Sequence, residues 1–268
     1  MDGEKTFCVL EQGGYLNEQI TEEHKNQFNT EFSDFYRLNF KTKEDPNAFI
    51  SGIGTTHPEG RNLLYHHVPK KYDYYVFIDD DISFHDKNIS NKIHELLNEY
   101  KPLSGTFYDP VNQWHSPNNL VSKEVKPIVH FDLAVQIYSS SCAEALLPYP
   151  YHSSDIPRMY QYIIHSLYPK KQMMFFDVHI ENTENRDQDL LKFDESNPPN
   201  KEVHKLCKKD FWNSYHKSGS GWKHFAKSKN LSLMDDEVSK DEVILSLQDF
   251  DKVLDINSDM FNKRKSVY

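Results

Sequence analysis

The chain has 268 residues, enough for one large α/β domain with small additions or for two modest domains. Hydrophobic residues make up 37% and aromatic residues 13%, which supports a substantial core and excludes global disorder, while 13 Pro and 9 Gly are too few for a fibrous protein. The 31 Lys and Arg against 41 Asp and Glu leave a net charge of -10, a field that repels nucleic-acid backbones, so no nucleic-acid partner is expected.

Cys8, Cys142 and Cys207 stand far apart, form no CxxC pair and suit a reducing compartment as free thiols. No apolar run reaches the length of a membrane span, and MDGEKTFCVLEQGG lacks the apolar segment of a secretory signal. The expectation is a soluble, cytoplasmic protein.

The apolar run Thr6 to Leu10 predicts a strand that ends at Gly13-Gly14. A helix starting near Thr21 and a strand over Phe35 to Phe40 follow. Phe49 onward reads as a short strand entering a Gly-containing turn, and Arg61 to Val68 as a short helix stopped before Pro69. Tyr72 to Ile78 (YDYYVFI) is a continuous aromatic and β-branched run, the pattern of a buried strand. Asn88 to Tyr100 has apolar residues at helical spacing. Strands are predicted over Leu103 to Tyr108, Ile128 to Tyr138 and Met173 to Ile180. A helix capped near Ser139 to Ser141 and another over Ile156 to Leu167 lie between the last two.

Strand and helix patterns alternate from about residue 49 to 180, which predicts βαβ units and a mainly parallel central sheet flanked by helices. Residues 181 to 203 are polar. Helical patterns beyond them suggest a catalytic α/β domain over 1–203 and a small helical extension over 204–268.

The buried strand ends in Asp79-Asp80-Asp81. Three consecutive carboxylates repel one another, and low-dielectric surroundings magnify the repulsion. A divalent cation removes it and prefers carboxylate oxygens. In extended backbone Asp79 and Asp81 project to one side as candidate ligands, and Asp80 to the other. Ligands of open α/β sheets bind beyond such strand ends. A solvated acidic turn is the plain alternative.

Here the sequence resembles glycosyltransferases of the GT-A type, which carry a DxD motif after a hydrophobic strand. The motif stands as Tyr74-Tyr-Val-Phe-Ile-Asp79-Asp80-Asp81, and Gly60-Arg61-Asn62-Leu63-Leu64 matches the helix with an Arg-Asn pair that precedes it. The resemblance spans about residues 49 to 180. It implies a GT-A-like fold, Mn2+ or Mg2+ held by Asp79 and Asp81, and a nucleoside-diphosphate sugar donor near Arg61, Asn62, Asp79 and Asp80. It also implies a histidine completing the metal site, for which His179 at the end of MMFFDVHI qualifies. A carboxylate at a late helix start would serve as base in an inverting reaction, a place that Asp155 fills. The acceptor is a carbohydrate or glycoconjugate hydroxyl.

Each of these residues also has a structural role open to it: a surface helix residue for Arg61, a turn contact for Asn62, a hydrogen-bonded imidazole for His179, an N-cap for Asp155. Asp132 and Glu144 are reserve bases. Trp114, His115, Tyr149 and Tyr151 are loop aromatics suited to stack on a sugar or to anchor packing. Two other functions fit grouped aspartates: a metal-dependent nucleotidyltransferase or phosphoester hydrolase, and a non-catalytic carbohydrate-binding or scaffold protein.

Overall fold

The structure, a computed structural model, describes residues 6–14, 18–42, 44–110, 125–128, 131–149, 157, 160–161, 164–165, 168 and 170–183. Asp155, Trp114, His115, Tyr151, Cys207 and the expected helical extension lie outside these residues.

Among the described residues, nine strands form one sheet. They are β1 (Phe7–Gly13), β2 (Ser33–Asn39), β3 (Ile50–Ser51), β4 (Tyr74–Asp79), β5 (Ile82–Phe84), β6 (Ser104–Tyr108), β7 (Lys126–Pro127), β8 (Val135–Ser139) and β9 (Gln172–Asn182). Their spatial order is β3-β2-β1-β4-β8-β6-β9-β5, with β7 beside β9. The described helices are α1 (Glu18–Phe28), α2 (His57–His67), α3 (Ile89–Tyr100) and α4 (Ser140–Leu146).

The expected mainly parallel sheet is corrected to a mixed one. The half from β3 to β4 is parallel throughout. Beyond it β8 runs antiparallel to both β4 and β6, and β5 and β7 run antiparallel to β9, while β6 and β9 are parallel. Periodicity reports that a strand is buried, not which way it points; direction follows from the connection, and a parallel neighbour needs a long crossover.

Strand alternation divides the core into two layers. Phe7 and Val9 of β1 join Tyr74, Val76 and Ile78 of β4 beneath α1 and α3, packing on Phe28, Ile89, Ile93 and Leu97. Cys8 and Leu10 join Tyr75 and Phe77 on the other face beneath α2 and α4, with Leu64, Val68, Cys142 and Leu146. Burial pushes the Cys8 and Cys142 thiols well up.

The crossover from β1 to β2 uses α1 on the first face, and the one from β3 to β4 uses α2 on the second. The connections therefore diverge on either side of the β1–β4 pair. That divergence opens a crevice at the carboxyl ends of these two strands, the topological switch point of an open α/β sheet.

Candidate active site

Three sequence features build the crevice. The first is the end of β1, where Gln12 lies beside Asp79 in the parallel register. The second is the entry to α2. Thr56 there donates its backbone N–H and its hydroxyl to Glu59 Oε2, both at 2.9 Å, fixing the helix start. Pro58 is tolerated in this first turn because no intrahelical partner exists for its nitrogen. The helix consequently begins at His57, ahead of the Arg61 start that the sequence predicts. The third is the acidic turn after β4. Gln12, Phe40, Thr55, His57, Asp79, Asp80 and Asp81 line a single cleft of about 160 Å³.

Each aspartate meets a different neighbour. Arg61 Nη2 donates to Asp79 Oδ1 at 2.8 Å, and His57 Nε2 lies 3.5 Å from the same oxygen. The Arg61 side chain is fully buried, lies over the Phe77 ring, and also donates to the carbonyls of Ile78 and Leu133. Burial pulls its guanidinium down from the usual value, and the Asp79 charge opposes that pull. Asp80 Oδ2 accepts the Gly14 N–H at 2.9 Å, tying the turn back to the end of β1. Asp81 is buried, and its carbonyl accepts the Thr183 N–H at 2.8 Å and hydroxyl at 3.0 Å. The following carbonyl, of Ile82, lies 2.7 Å from His24 Nε2. The turn is thus fastened from β1, α1, α2 and the end of β9.

The structure brings Arg61, Asp79, Asp80 and Asp81 together and places the other described candidates elsewhere. Asn62 is buried on the far side of α2, where its amide donates to the Tyr149 carbonyl at 3.1 Å and accepts the Tyr149 N–H at 2.7 Å. His179 is exposed on β9 beside the Tyr108 ring. Because Ile180 pairs with Phe84 and His179 lies one residue further from Asn182, His179 stands about 13 Å along the strand from the position beside Asp81. Asp132 accepts the Ala134 N–H in the bend before β8. Glu144 is exposed on α4, the helix whose start bonds to Asp73 at the opposite end of β4. Tyr149 is buried and donates to the Tyr138 hydroxyl, so it anchors packing.

Gln12 and His57 have no place in the sequence reading. Gln12 is 5% exposed, and its Nε2 faces the Thr56 carbonyl at 3.4 Å. A carbonyl only accepts, so the amide nitrogen belongs on that side and Oε1 is left as a buried acceptor with no partner. The signal available was a polar Glu-Gln pair closing an apolar strand. For His57 it was Thr-x-x-Glu, the spelling of a helix start.

Among the described residues, no three His, Cys, Asp or Glu side chains converge as a preformed metal cage. The donor set is nevertheless suited to a hard divalent ion, since three carboxylates line one cleft.

No protein-family model and no curated protein matches the chain. Solved structures do. GalNAc-T7 with UDP, GalNAc and Mn2+ aligns at a TM-score of 0.55 and 10% identity, over 93% of this chain and 55% of that one. TarS 1-349 of S. aureus aligns at 0.49 and 10% identity, over 92% of each chain. A glycosyltransferase involved in glycosylation of the major capsid of PBCV-1 aligns at 0.41 and 10% identity, over 74% of this chain and 98% of that one. At a TM-score of 0.55 the likeness to GalNAc-T7 is one of fold: the described residues form an α/β architecture with a mixed central sheet that is broadly GT-A-like.

Proposed function

We propose that the chain is a metal-dependent glycosyltransferase that moves a sugar from a nucleoside-diphosphate sugar to an acceptor hydroxyl with inversion. The observation that carries this reading is the cleft itself: Asp79, Asp80 and Asp81 meet the end of β1 at the switch point of a GT-A-like sheet. A solvated acidic turn needs neither the burial of Asp80 and Asp81 nor a buried arginine behind Asp79.

In this reading Asp79 and Asp81 hold Mn2+ or Mg2+. One or two protein carboxylates are enough for Mg2+ in such sites, so these two residues would suffice to hold the ion. When bound, the cation neutralises charge on the departing nucleoside diphosphate. The remaining work falls to this chain's own side chains. Arg61 fixes the orientation of Asp79 from beneath the strand. Asp80, committed to the Gly14 N–H, keeps the loop after β1 against the turn. Gln12 Oε1 presents a buried acceptor to an N–H or O–H of the donor nucleotide, and binding supplies the partner it lacks. The Phe40 ring offers an apolar wall beside it. Asp155 is the proposed base, taking the proton of the acceptor hydroxyl as the anomeric carbon is attacked.

Incubation of the protein with Mn2+, a panel of nucleotide sugars and mixed acceptors, followed by measurement of nucleoside diphosphate, tests the proposal. Release with some donor is expected, and Asp81→Asn should reduce it at least about a hundredfold. Silence with every donor counts against transfer, and pyrophosphate or phosphate as the product indicates a nucleotidyltransferase or hydrolase instead.

A further inference from the structure

One bond that fastens the acidic turn reaches it from the opposite face of the sheet. His24 of α1 is 1% exposed, with the rings of Phe28 and Phe84 against it. Its Nε2 lies 2.7 Å from the Ile82 carbonyl, immediately after Asp81, and its Nδ1 meets Glu11 Oε2. The other Glu11 oxygen accepts from Arg37 Nη1, and Arg37 Nε donates to Asp45 Oδ2 at 2.9 Å. Asn39 Nδ2 donates to that same Asp45 oxygen. The residues come from α1, β1, β2 and the loop after β2, and all are buried.

Hydrogen placement follows from the partners. The Ile82 carbonyl only accepts, so Nε2 bears a hydrogen. Nδ1 faces a carboxylate that already accepts from Arg37, so a hydrogen lies on that line as well. Counted on His24, this second hydrogen makes two positive groups, His24 and Arg37, against the carboxylates Glu11 and Asp45. A buried group of charges is tolerated when it balances in this way and each member is hydrogen-bonded.

We infer that His24 is a positioning residue for the acidic turn, bearing hydrogen on both ring nitrogens and bridging Glu11 to the Ile82 carbonyl so that Asp79–Asp81 keep the arrangement a cation and a diphosphate require. The functional half of this inference rests on the transferase reading; the structural half does not. His24 touches none of the three carboxylates in the bonds described, so it acts through the backbone that leaves the turn.

The test uses the full chain. Ring-nitrogen NMR of labelled wild-type protein, with the His24 signals assigned by their loss in His24→Leu, should show hydrogen on both nitrogens; a bare Nδ1 overturns the inference. In His24→Leu, exchange of the Thr183 and Gly14 amides, which bond to Asp81 and Asp80, should quicken about tenfold relative to the amides of β4. Equal acceleration along β4, or none at the turn, overturns it. If that variant does not fold, His24→Gln, which keeps a side-chain hydrogen-bonding group at the site, supplies the assignment, and the wild-type nitrogen signals decide. Where the assay also detects transfer, the KM for the metal-nucleotide complex should rise about tenfold with kcat within twofold. Local loosening with no transfer from any donor would retain the positioning role and remove the transferase reading.

Discussion

At the scale of single residues, Arg61 decides how the acidic turn behaves without a cation. Its guanidinium has no exposed surface, while Asp79 retains 29% of its side-chain exposure, so the arginine is the partner that cannot rehydrate in place. Arg61→Ala leaves a cavity over Phe77 and removes the charge facing Asp79; a loss of about 3 kcal/mol in urea unfolding is expected, together with turnover. Arg61→Lys should recover part of the stability and little of the turnover, because an ammonium cannot reach Asp79, Ile78 and Leu133 from one planar fork. Asp45 gives a pH-dependent counterpart. Burial alone would raise its carboxyl, but hydrogen bonds from Asn39, Arg37 and the Asn47 N–H, with the Arg37 charge, outweigh burial and hold it below the ordinary value. The stability this contributes is present above the unfolded value of about 4 and is lost as pH falls through the lower folded value. Melting temperatures recorded from neutral pH downward should show Asp45→Asn well below wild type at pH 7, with the two converging in acid. What was legible at this scale was consecutive charge. Asp79–Asp81 announce themselves because three carboxylates conflict with the apolar run before them, whereas Arg61 is reached only through the resemblance. Glu11, His24, Arg37 and Asp45 stand out only as a group, and sequence separation hides the group.

At the scale of elements, the β1 end and the acidic turn are packed so closely that glycine is required between them. A Cβ built at Gly13 would lie 2.5 Å from Asp80 Oδ2, the oxygen that accepts the Gly14 N–H. Gly13→Ala must therefore push Asp80 away or bend β1. We expect an increase of about tenfold in the KM for the metal-nucleotide complex, with folding retained, as read from circular dichroism beside steady-state kinetics. The same closeness explains which elements the sequence disclosed. β4 was evident because the whole run Tyr74–Ile78 is buried on both faces. α3 was evident because Ile89, Ile93, Leu96 and Leu97 repeat at helical spacing. β5 and β7, of three and two residues, are too short to show any period, and they exist because β9 offers an edge to pair with. β8 was predicted over Ile128 to Tyr138 but occupies Val135–Ser139, the bend before it being held by Asp132.

At the scale of the whole molecule, the mixed sheet separates two tasks. The parallel half, β3-β2-β1-β4, places strand ends and helix starts at one crevice, as its crossovers dictate. The remaining strands, with β8 reversed, close the core beside β4 and bring Thr183 back to Asp81. Such a site is built before any ligand arrives, but it contains a conflict: three carboxylates share one cleft with one arginine engaging Asp79. If the conflict is what the site is for, metal and nucleotide should each bind weakly alone and strongly together, because the diphosphate supplies the oxygens that the cation lacks and the cation supplies the charge that the diphosphate needs. A ligand at a hundred times its dissociation constant stabilises the folded state by about 2.7 kcal/mol. For a domain of this size that corresponds to a rise of roughly 5 to 10 °C in Tm. Scanning calorimetry should show this shift with Mn2+ and a matching nucleoside diphosphate together, and a much smaller one with either alone. Asp81→Asn should remove the synergy while leaving the melting temperature of the free protein the same or higher, since one of the repelling charges is gone. Equal shifts with and without the metal would mean that the acidic turn is structural, and that the cleft reads the nucleotide by other means.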